Sequence, residues 1–180
     1  MELKIEGKQI NLRKLKKSDA PSIFKNVNDK TITKFTTIPY PYRLKMAYDF
    51  IKMTHREMRK KKVFGLGIEL KGTGKIIGMI SLMKVDYENR NAEIGYWLGR
   101  EYWGKKIMKE AVNLILRFGF KKLKLVRIYA RVVHPNISSA KLLEKSGFQY
   151  EGRMRKTTLA DGQWLDDLRY SILDEEFKSK

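Results

Sequence analysis

Three consecutive strand patterns between residues 63 and 98 constrain the fold of this chain more than any other feature of its sequence. The segments 63–70, 76–85 and 92–98 are rich in β-branched and aromatic residues, and short turn sequences containing Gly or Asn separate them. Connections this short join antiparallel neighbours, because parallel strands need a much longer crossover. The sequence therefore predicts an antiparallel meander at the centre of the chain.

A helix pattern follows the meander and leads into another strand. Apolar residues recur at the spacing of a helix across 104–120, and residues 126–133 have the alternation of a buried strand. A helix between two strands of one sheet makes a parallel crossover. We predict an α/β fold with a mixed, mostly antiparallel central sheet, a parallel crossover between the fourth and fifth strands, and helices on both faces.

The remaining patterns complete a single domain over residues 1–180, because no linker, repeat or low-complexity segment divides the chain. A domain of this size can bury a full hydrophobic core. The other predicted elements are a strand at 10–12, a helix that starts at 18–21 and ends near 28, a proline-containing loop at 36–42, helices at 44–62 and 138–145, and strands at 150–156 and 164–172 around an Asp161–Gly162 turn.

The composition excludes several classes of protein. With 42% hydrophobic residues in a chain of 180, intrinsic disorder is excluded. The absence of cysteine excludes a disulfide framework, a cysteine nucleophile and a cysteine zinc site, and with only His55 and His134 we expect no metal centre. The amino-terminal residues lack an apolar signal region and the longest apolar stretch, 76–83, is too short to span a membrane, so we expect a soluble cytoplasmic protein.

The charge of the chain is strongly positive. Lys and Arg number 39 against 20 Asp and Glu, which gives a formal net charge of +19. A field of this sign concentrates anions such as phosphates, nucleotides and nucleic acids at the surface. The charge alone names no reaction, and a solvated lysine-rich surface accounts for it equally well.

A glycine that opens a helix marks a candidate anion site. The strand 92–98 runs into a short loop in which Gly104 precedes the apolar helix pattern. Free N–H groups at the start of that helix and the positive end of its dipole would converge on one spot, which favours phosphate. Lys105 and Lys106 add two full charges beside it.

A second motif follows the fifth predicted strand. It contains Asn136 and Ser139, three residues apart, then the sequence Leu-Leu-Glu-Lys and a closing Gly-Phe pair that begins at Gly147. Together with the segment 96–111, this motif resembles the GCN5-related N-acetyltransferase (GNAT) family, and within it the RimJ/RimL branch that acetylates the amino termini of ribosomal proteins. The resemblance covers nearly the whole chain, because the motifs occur in the order of the family.

The resemblance implies an enzyme that transfers the acetyl group of acetyl-CoA, its cosubstrate, to a primary amine without a metal. Backbone N–H groups around Trp97 and Leu98 would polarise the acetyl carbonyl. Asn136 would bind the pantetheine arm, and Ser139 would be the acid that meets the departing thiolate. The alternative role for Ser139 is that of a cap at the start of the helix. The residues that the resemblance assigns to acetyl-CoA are Trp97, Leu98, Trp103, Gly104, Lys105, Lys106, Ile107, Met108, Asn136 and Ser139.

The chain departs from the family's phosphate loop, Gln/Arg-x-x-Gly-x-Gly/Ala. Glu101 stands where Gln or Arg is usual and Lys106 where Gly or Ala is usual, so only Gly104 matches. Backbone amides bind phosphate whatever side chains they carry, and we expect Lys106 to have a right-handed helical backbone. Many members also place a general-acid Tyr seven residues after the Asn, where this chain has Leu143.

Glu93 is the candidate base for the incoming ammonium. It is the only carboxylate of the predicted strand 92–98, and a carboxylate on a central strand calls for an explanation. Strand alternation places Glu93, Gly95 and Trp97 on one face. The alternative role for Glu93 is a cross-strand ion pair with a Lys or Arg.

Three functions are compatible with these residues. The first is acetylation of the amino-terminal amine of a ribosomal or other protein, with the basic surface close to ribosomal RNA. The second is acetylation of a polyamine or aminoglycoside, which we rank lower because a chain of charge +19 has few spare carboxylates for a polycation. The third is a nucleic-acid-binding or ribosome-binding module without catalysis. The sequence is compatible with a monomer or a homodimer.

Overall fold

One eight-stranded sheet is the framework of the computed structural model, which describes residues 3–160 and 162–178. The strands are β1 (Lys4–Glu6), β2 (Ile10–Arg13), β3 (Phe64–Leu70), β4 (Ile76–Asp86), β5 (Asn91–Leu98), β6 (Arg127–Val133), β7 (Gln149–Ala160) and β8 (Gln163–Leu173). Their order across the sheet is β1-β2-β3-β4-β5-β6-β8-β7. Among the described strands, β5 and β6 pair in parallel and all other neighbours are antiparallel, which confirms the mixed, mostly antiparallel sheet.

The structure contains one strand that the sequence did not predict, β1 at the edge of the sheet. Its three residues alternate between exposed and half-buried positions, and so short a segment has too few side chains for a periodic signal. The parallel crossover therefore joins the fifth and sixth strands, not the fourth and fifth. The helix within that crossover lies where it was predicted.

The helices of the described residues cover both faces of the sheet, as predicted. They are α1 (Ala20–Val27), α2 (Lys30–Thr33), α3 (Leu44–Arg59), α4 (Ile107–Arg117) and α5 (Ile137–Glu144). Ile23 of α1 and Ile51 of α3 belong to a cluster against which Trp97 packs. Ile115 of α4 and Leu143 of α5 belong to a larger cluster on the other face.

The ends of several elements differ from the prediction. The helix α3 ends at Arg59 and not at 62, because Lys61 has a left-handed backbone with φ of 57°. The helix α4 is shorter than predicted and continues as a π-helical turn, Phe118–Lys122. Of the predicted turn between the last two strands, Asp161 lies outside the described residues.

Candidate active site

The strands β5 and β6 pair over only part of their length. The parallel ladder joins residues 91–94 of β5 to residues 127–130 of β6. Beyond it, β5 continues beside β4 as far as Leu98, and β6 continues beside β8 as far as Val133. The strands therefore separate and leave a gap between residues 95–98 and 131–133, which we call the notch.

The register of β5 directs the backbone of Tyr96 and Leu98 into the notch. The Gly99 N–H donates to the Ile77 carbonyl at 2.8 Å, so Gly99 faces β4, and Trp97, two residues earlier, does the same. Backbone groups of the alternate residues face the other way. Of the two predicted amide donors, Leu98 points into the notch and Trp97 points towards β4.

The loop after β5 has a left-handed backbone at two positions. Gly104 has φ of +75°, and a Cβ built there meets no atom within 4 Å. Lys106, the N-cap of α4, has φ of 59° and ψ of 6°. The right-handed backbone expected at Lys106 is therefore wrong, and the loop has a left-handed geometry that glycine would adopt without strain.

The first turn of α4 offers backbone donors to an anion. The first helical bond runs from the Glu110 N–H to the Lys106 carbonyl at 3.1 Å, which leaves the N–H groups of Ile107 and Met108 without a partner inside the helix. The side chains of Ile107 and Met108 are buried in the core, so these residues can meet a ligand only through their backbone. Lys105 and Lys106 are exposed beside them.

Trp103 connects the loop to the end of β5. Its indole Nε1–H donates to the Leu98 carbonyl at 2.8 Å, while the residue as a whole remains 49% exposed. The contact ties the loop to the mouth of the notch. The Leu98 amide and the start of α4 therefore lie at the same end of β5.

Asn136 caps α5 at the far side of the notch. Its side-chain oxygen accepts from the Ser139 N–H at 3.2 Å and from the Ser138 hydroxyl at 2.9 Å. The Asn136 backbone N–H donates to the Val133 carbonyl at 2.8 Å, which fixes the start of α5 at the end of β6. The cap is thus Asn136, and the Ser139 hydroxyl is not used for capping.

The Ser139 hydroxyl is hydrogen-bonded to the Tyr96 phenol, with 2.8 Å between the two oxygens. Burial of the Tyr96 hydroxyl raises the pKa of Tyr96 to about 12, so the phenol stays protonated at physiological pH. Sequence reasoning missed Tyr96 because strand alternation places it with Ile94 and Leu98, where an aromatic residue is ordinarily core. The signal that could have found it is a phenol on the strand face that meets α5.

Glu93 lies on the opposite face of β5 from Tyr96. Its side chain is 9% exposed, and its Oε2 is 2.7 Å from Nζ of Lys84. Lys84 has φ of 50° and occupies an irregularity of the β4–β5 ladder between Met83 and Asp86. The ion pair that the sequence left open as an alternative is therefore present, and the role of Glu93 as a base stays a prediction.

Within residues 3–160 and 162–178, no group of three His, Asp or Glu side chains is arranged to hold a metal ion. No helix in the same part of the chain combines the length and the apolar character needed to cross a membrane.

Two parallel strands thus separate beside the amino terminus of α4 and the Ser139 hydroxyl. Residues 9–149 match the family model described as acetyltransferase (GNAT) domain. The N-acetyltransferase p20 of Bacillus licheniformis is 35% identical over 169 residues, which cover 94% of this chain and 95% of that protein. The chain belongs to the GNAT family and is an acetyl-CoA-dependent N-acetyltransferase, as predicted.

Other relatives and solved structures span several acceptors. Spermidine N(1)-acetyltransferase of Escherichia coli K12 is 22% identical over 93% of this chain and 88% of its own. The ribosomal-protein-S5-alanine acetyltransferase of Vibrio fischeri superposes with a TM-score of 0.85 at 26% identity, over 98% of this chain and 99% of its own. The microcin C7 self-immunity acetyltransferase MccE, solved with acetyl-CoA and AMP, gives 0.83 at 25% identity over 93% of both chains.

The described residues fit acetyl-CoA. The notch leaves the Leu98 N–H available to an extended ligand, and the free amides of Ile107 and Met108 lie at the same end of β5. The open space around Gly104 allows a phosphate group to approach the backbone closely. These residues would hold the cosubstrate.

Proposed function

We propose that the protein acetylates the amino-terminal amine of a protein substrate, of the ribosomal-protein class, in the cytoplasm. The observation that carries the proposed chemistry is the convergence on one notch of the Leu98 amide, the amino end of α4 and the Ser139 hydroxyl. Similarity over nearly the full length to a ribosomal-protein-S5-alanine acetyltransferase supports a protein acceptor.

Backbone donors do most of the binding in this proposal. Acetyl-CoA supplies an acetyl thioester, which an amine can attack directly. The Leu98 N–H donates to the acetyl carbonyl oxygen and stabilises the negative charge that develops there. The Ile107 and Met108 amides, with Lys105 and Lys106, hold the phosphates at the start of α4.

Ser139 acts as the acid, and Tyr96 positions it. Either hydroxyl of this pair can donate. In the proposed mechanism the Tyr96 O–H donates to Ser139 Oγ, so that the serine proton can point at the departing thiolate. Because the pKa of Tyr96 is raised to about 12, the phenol remains a donor throughout the working pH range. A tyrosine on β5 therefore supports the acid in a chain that has Leu143 where many family members place their tyrosine.

The proton chemistry of the acceptor favours an amino terminus over a lysine side chain. An α-amino group has a pKa of about 7.7 to 8.0, against about 10.4 for lysine, so a useful fraction is neutral and nucleophilic at pH 7. A weak base is then sufficient. Glu93, whose Oε2 lies 2.7 Å from Nζ of Lys84, is the candidate for that base and would act through water from its own face of β5.

A direct test is incubation with labelled acetyl-CoA and three kinds of acceptor: amino-terminal peptides of ribosomal proteins, polyamines and aminoglycosides. We expect transfer to the peptides, and no transfer to the same peptides after their α-amine is blocked. Faster acetylation of a polyamine or aminoglycoside would reject the protein acceptor. Binding of acetyl-CoA without transfer to any amine would favour the binding module without catalysis.

Exposed lysines at the other end of the sheet support a site of action near ribosomal RNA. Lys61 and Lys62 precede β3, and Lys121, Lys122 and Lys124 precede β6, so that both groups lie where these strands begin. None of the five has a carboxylate within ion-pair distance among the described residues. The cosubstrate phosphates would bind at the opposite end of α4.

The two groups of lysines can be tested together. Replacing Lys61, Lys62, Lys121 and Lys122 by Gln should weaken binding to a ribosomal RNA fragment and flatten its dependence on salt concentration. Replacing Lys71 and Lys75, exposed in the β3–β4 turn, by Gln provides the control. Equal losses per lysine replaced in the two variants would show that the net charge, and not this end of the sheet, binds RNA.

A further inference from the structure

The incoming amine must reach the notch from the face of the sheet opposite α5. Ser139 and Tyr96 occupy the α5 side, and in the proposed function the departing thiolate lies with them. An amine adds to the planar thioester carbonyl from one of its two faces, and Tyr96, Ser139 and α5 already fill the space on one side of β5. The acceptor therefore meets the face of β5 on which Glu93 and Trp97 lie.

Arg131 presents a positive charge on that face, at the point where β5 and β6 separate. The parallel ladder aligns Glu93 with Tyr129, so Tyr129 and, two residues further, Arg131 share the face of Glu93. Arg131 is the first residue of β6 beyond the ladder. Its Nη1 lies 3.1 Å from Thr158 Oγ1 and 3.4 Å from Oδ2 of Asp167, a carboxylate that is 1% exposed.

Arg169 lies beside Arg131 and is held by the same buried carboxylate. The β6–β8 ladder pairs Arg131 with Arg169, and Nη2 of Arg169 is 3.9 Å from Oδ2 of Asp167. The Arg169 Nε–H points at the Met154 sulfur at 3.0 Å, a weak acceptor. Two guanidinium groups thus share one carboxylate, and N–H donors of both remain available to a ligand.

The other carboxylates of this face already have cationic partners. Glu151 accepts two hydrogen bonds from Arg127, at 2.6 and 2.7 Å, beside a shallow cavity of about 380 Å³ that Arg127 and Arg169 help to line. Glu93 is paired with Lys84. A polycation would therefore have to break an existing ion pair to bind here.

The connection between α2 and α3 shares a hydrophobic cluster with Trp97 and adds no negative charge. Ile38, in the connection between α2 and α3, packs in the same cluster as Trp97. Residues 30–48, which include this connection, contain Lys and Arg but neither Asp nor Glu. The α2–α3 connection and the face of β6, β8 and β7 are therefore neutral or positive, and such an environment attracts anions.

We propose that the acceptor is a peptide amino terminus followed closely by acidic side chains, and that Arg131 and Arg169 bind its carboxylates. This inference rests on the proposed function and specifies its substrate class. The face of β6, β8 and β7 is open and does not enclose a small molecule, which suits an extended chain. Arginine binds carboxylates through two parallel N–H donors, which would fix the peptide as well as attract it.

The test uses two peptides that share an amino-terminal serine and differ only in having Asp-Glu or Asn-Gln next to it, together with spermidine. We expect kcat/KM to be about tenfold or more higher for the acidic peptide, as one charge-assisted hydrogen bond predicts, and the preference to shrink at high salt. The preference should fall in Arg131→Gln and be lost in Arg131→Gln/Arg169→Gln. It should return only in part in Arg131→Lys, which keeps the charge but not the two parallel donors. The control is Arg153→Gln, whose ion pair with Asp166 lies on the other face of the β7–β8 hairpin.

Binding of each peptide to the CoA-saturated enzyme, measured by calorimetry, tests the same preference without turnover. Unchanged acetyl-CoA affinity and melting temperature in the variants would show that they are folded. Equal rates and affinities for the two peptides, a preference that survives both arginine substitutions, or faster acetylation of spermidine would each overturn the inference. The first two results would leave amino-terminal acetylation intact, whereas absence of transfer to any peptide would overturn the proposed function itself.

Discussion

At the scale of single residues, the Tyr96 hydroxyl can be removed with almost no change in volume. The substitution Tyr96→Phe deletes the hydrogen bond to Ser139 and keeps the ring in the sheet. We expect kcat to fall about tenfold, the cost of one positioning hydrogen bond. Acetyl-CoA affinity should not change, and rate and affinity are measured by steady-state kinetics and calorimetry.

Tyr170 provides a matched control for this substitution. Burial, followed by a hydrogen bond to Glu144, raises the pKa of its phenol to about 12, yet Tyr170 has no contact with Ser139. Tyr170→Phe should leave kcat unchanged. In a double-mutant cycle, Tyr96→Phe should cost little once Ser139→Ala is present, because both residues act on one proton. Additive losses of kcat in the double variant would show that Tyr96 and Ser139 act independently.

Glu93 can be assigned by the shape of a pH profile. If it is the base, Glu93→Gln should lower kcat/KM most below the acceptor's pKa of about 7.7 to 8.0, and progressively less above it, because neutral amine then arrives unaided. Rates on an amino-terminal peptide between about pH 6 and 10 cover both regimes. A deficit that is constant with pH would assign Glu93 to the structural ion pair with Lys84.

At the scale of elements, the loop before α4 depends on backbone geometry more than on side chains. Gly104 has φ of +75°, a region that a β-branched residue adopts only under strain. Gly104→Val should therefore rearrange the loop and weaken acetyl-CoA binding about tenfold or more, as a cost of 1–2 kcal/mol implies. Calorimetry measures the change.

The control for Gly104 is a glycine of the same geometry in another turn. Gly72 has φ of +79° in the turn between β3 and β4, and it too has no neighbour within 4 Å of a built Cβ. Gly72→Val should lower the melting temperature about as much as Gly104→Val does, and it should leave acetyl-CoA affinity unchanged. If Gly104→Val binds acetyl-CoA normally, the phosphate site does not lie at this loop.

The elements of the fold were predictable where a periodic sequence pattern extends over many residues. They were not predictable where a few backbone angles determine the local structure. The meander and the helix α4 have periodic apolar residues, so their order was predicted correctly. The left-handed backbone of Lys106 was not, because nothing in a lysine indicates it. The contact between Tyr96 and Ser139 joins residues 43 positions apart, and only the packing of α5 on the sheet brings them together.

At the scale of the whole molecule, acid should destabilise this chain strongly. A hydrogen bond from Arg127 lowers the pKa of Glu151, and the Lys156 N–H, followed by Arg153, lowers that of Asp166. These groups stabilise the fold above their unfolded pKa values and lose that contribution as pH falls through their lower folded values. Protonation also raises the net charge above +19.

The melting temperature should therefore fall steeply below about pH 4.5, near the ordinary pKa of a glutamate. Calorimetric scans between about pH 7 and 3 measure this fall. Glu151→Gln should melt at a lower temperature than the parent at neutral pH and should show a smaller decline in acid. A melting temperature that is constant across the range would contradict the role assigned to these ion pairs.

The short ladder between β5 and β6 has a mechanical consequence. Within the sheet, four residues of each strand join two groups of strands, β1 to β5 and β6, β8 and β7, which the hydrophobic core also connects. A ligand that lies in the notch and bonds to backbone groups on both sides would replace the missing hydrogen bonds and join the two groups of strands. The spacing between Leu98 and the arginines of β6 and β8 would then depend on what the notch contains. The acceptor face would therefore take its final shape only once the acetyl donor is bound.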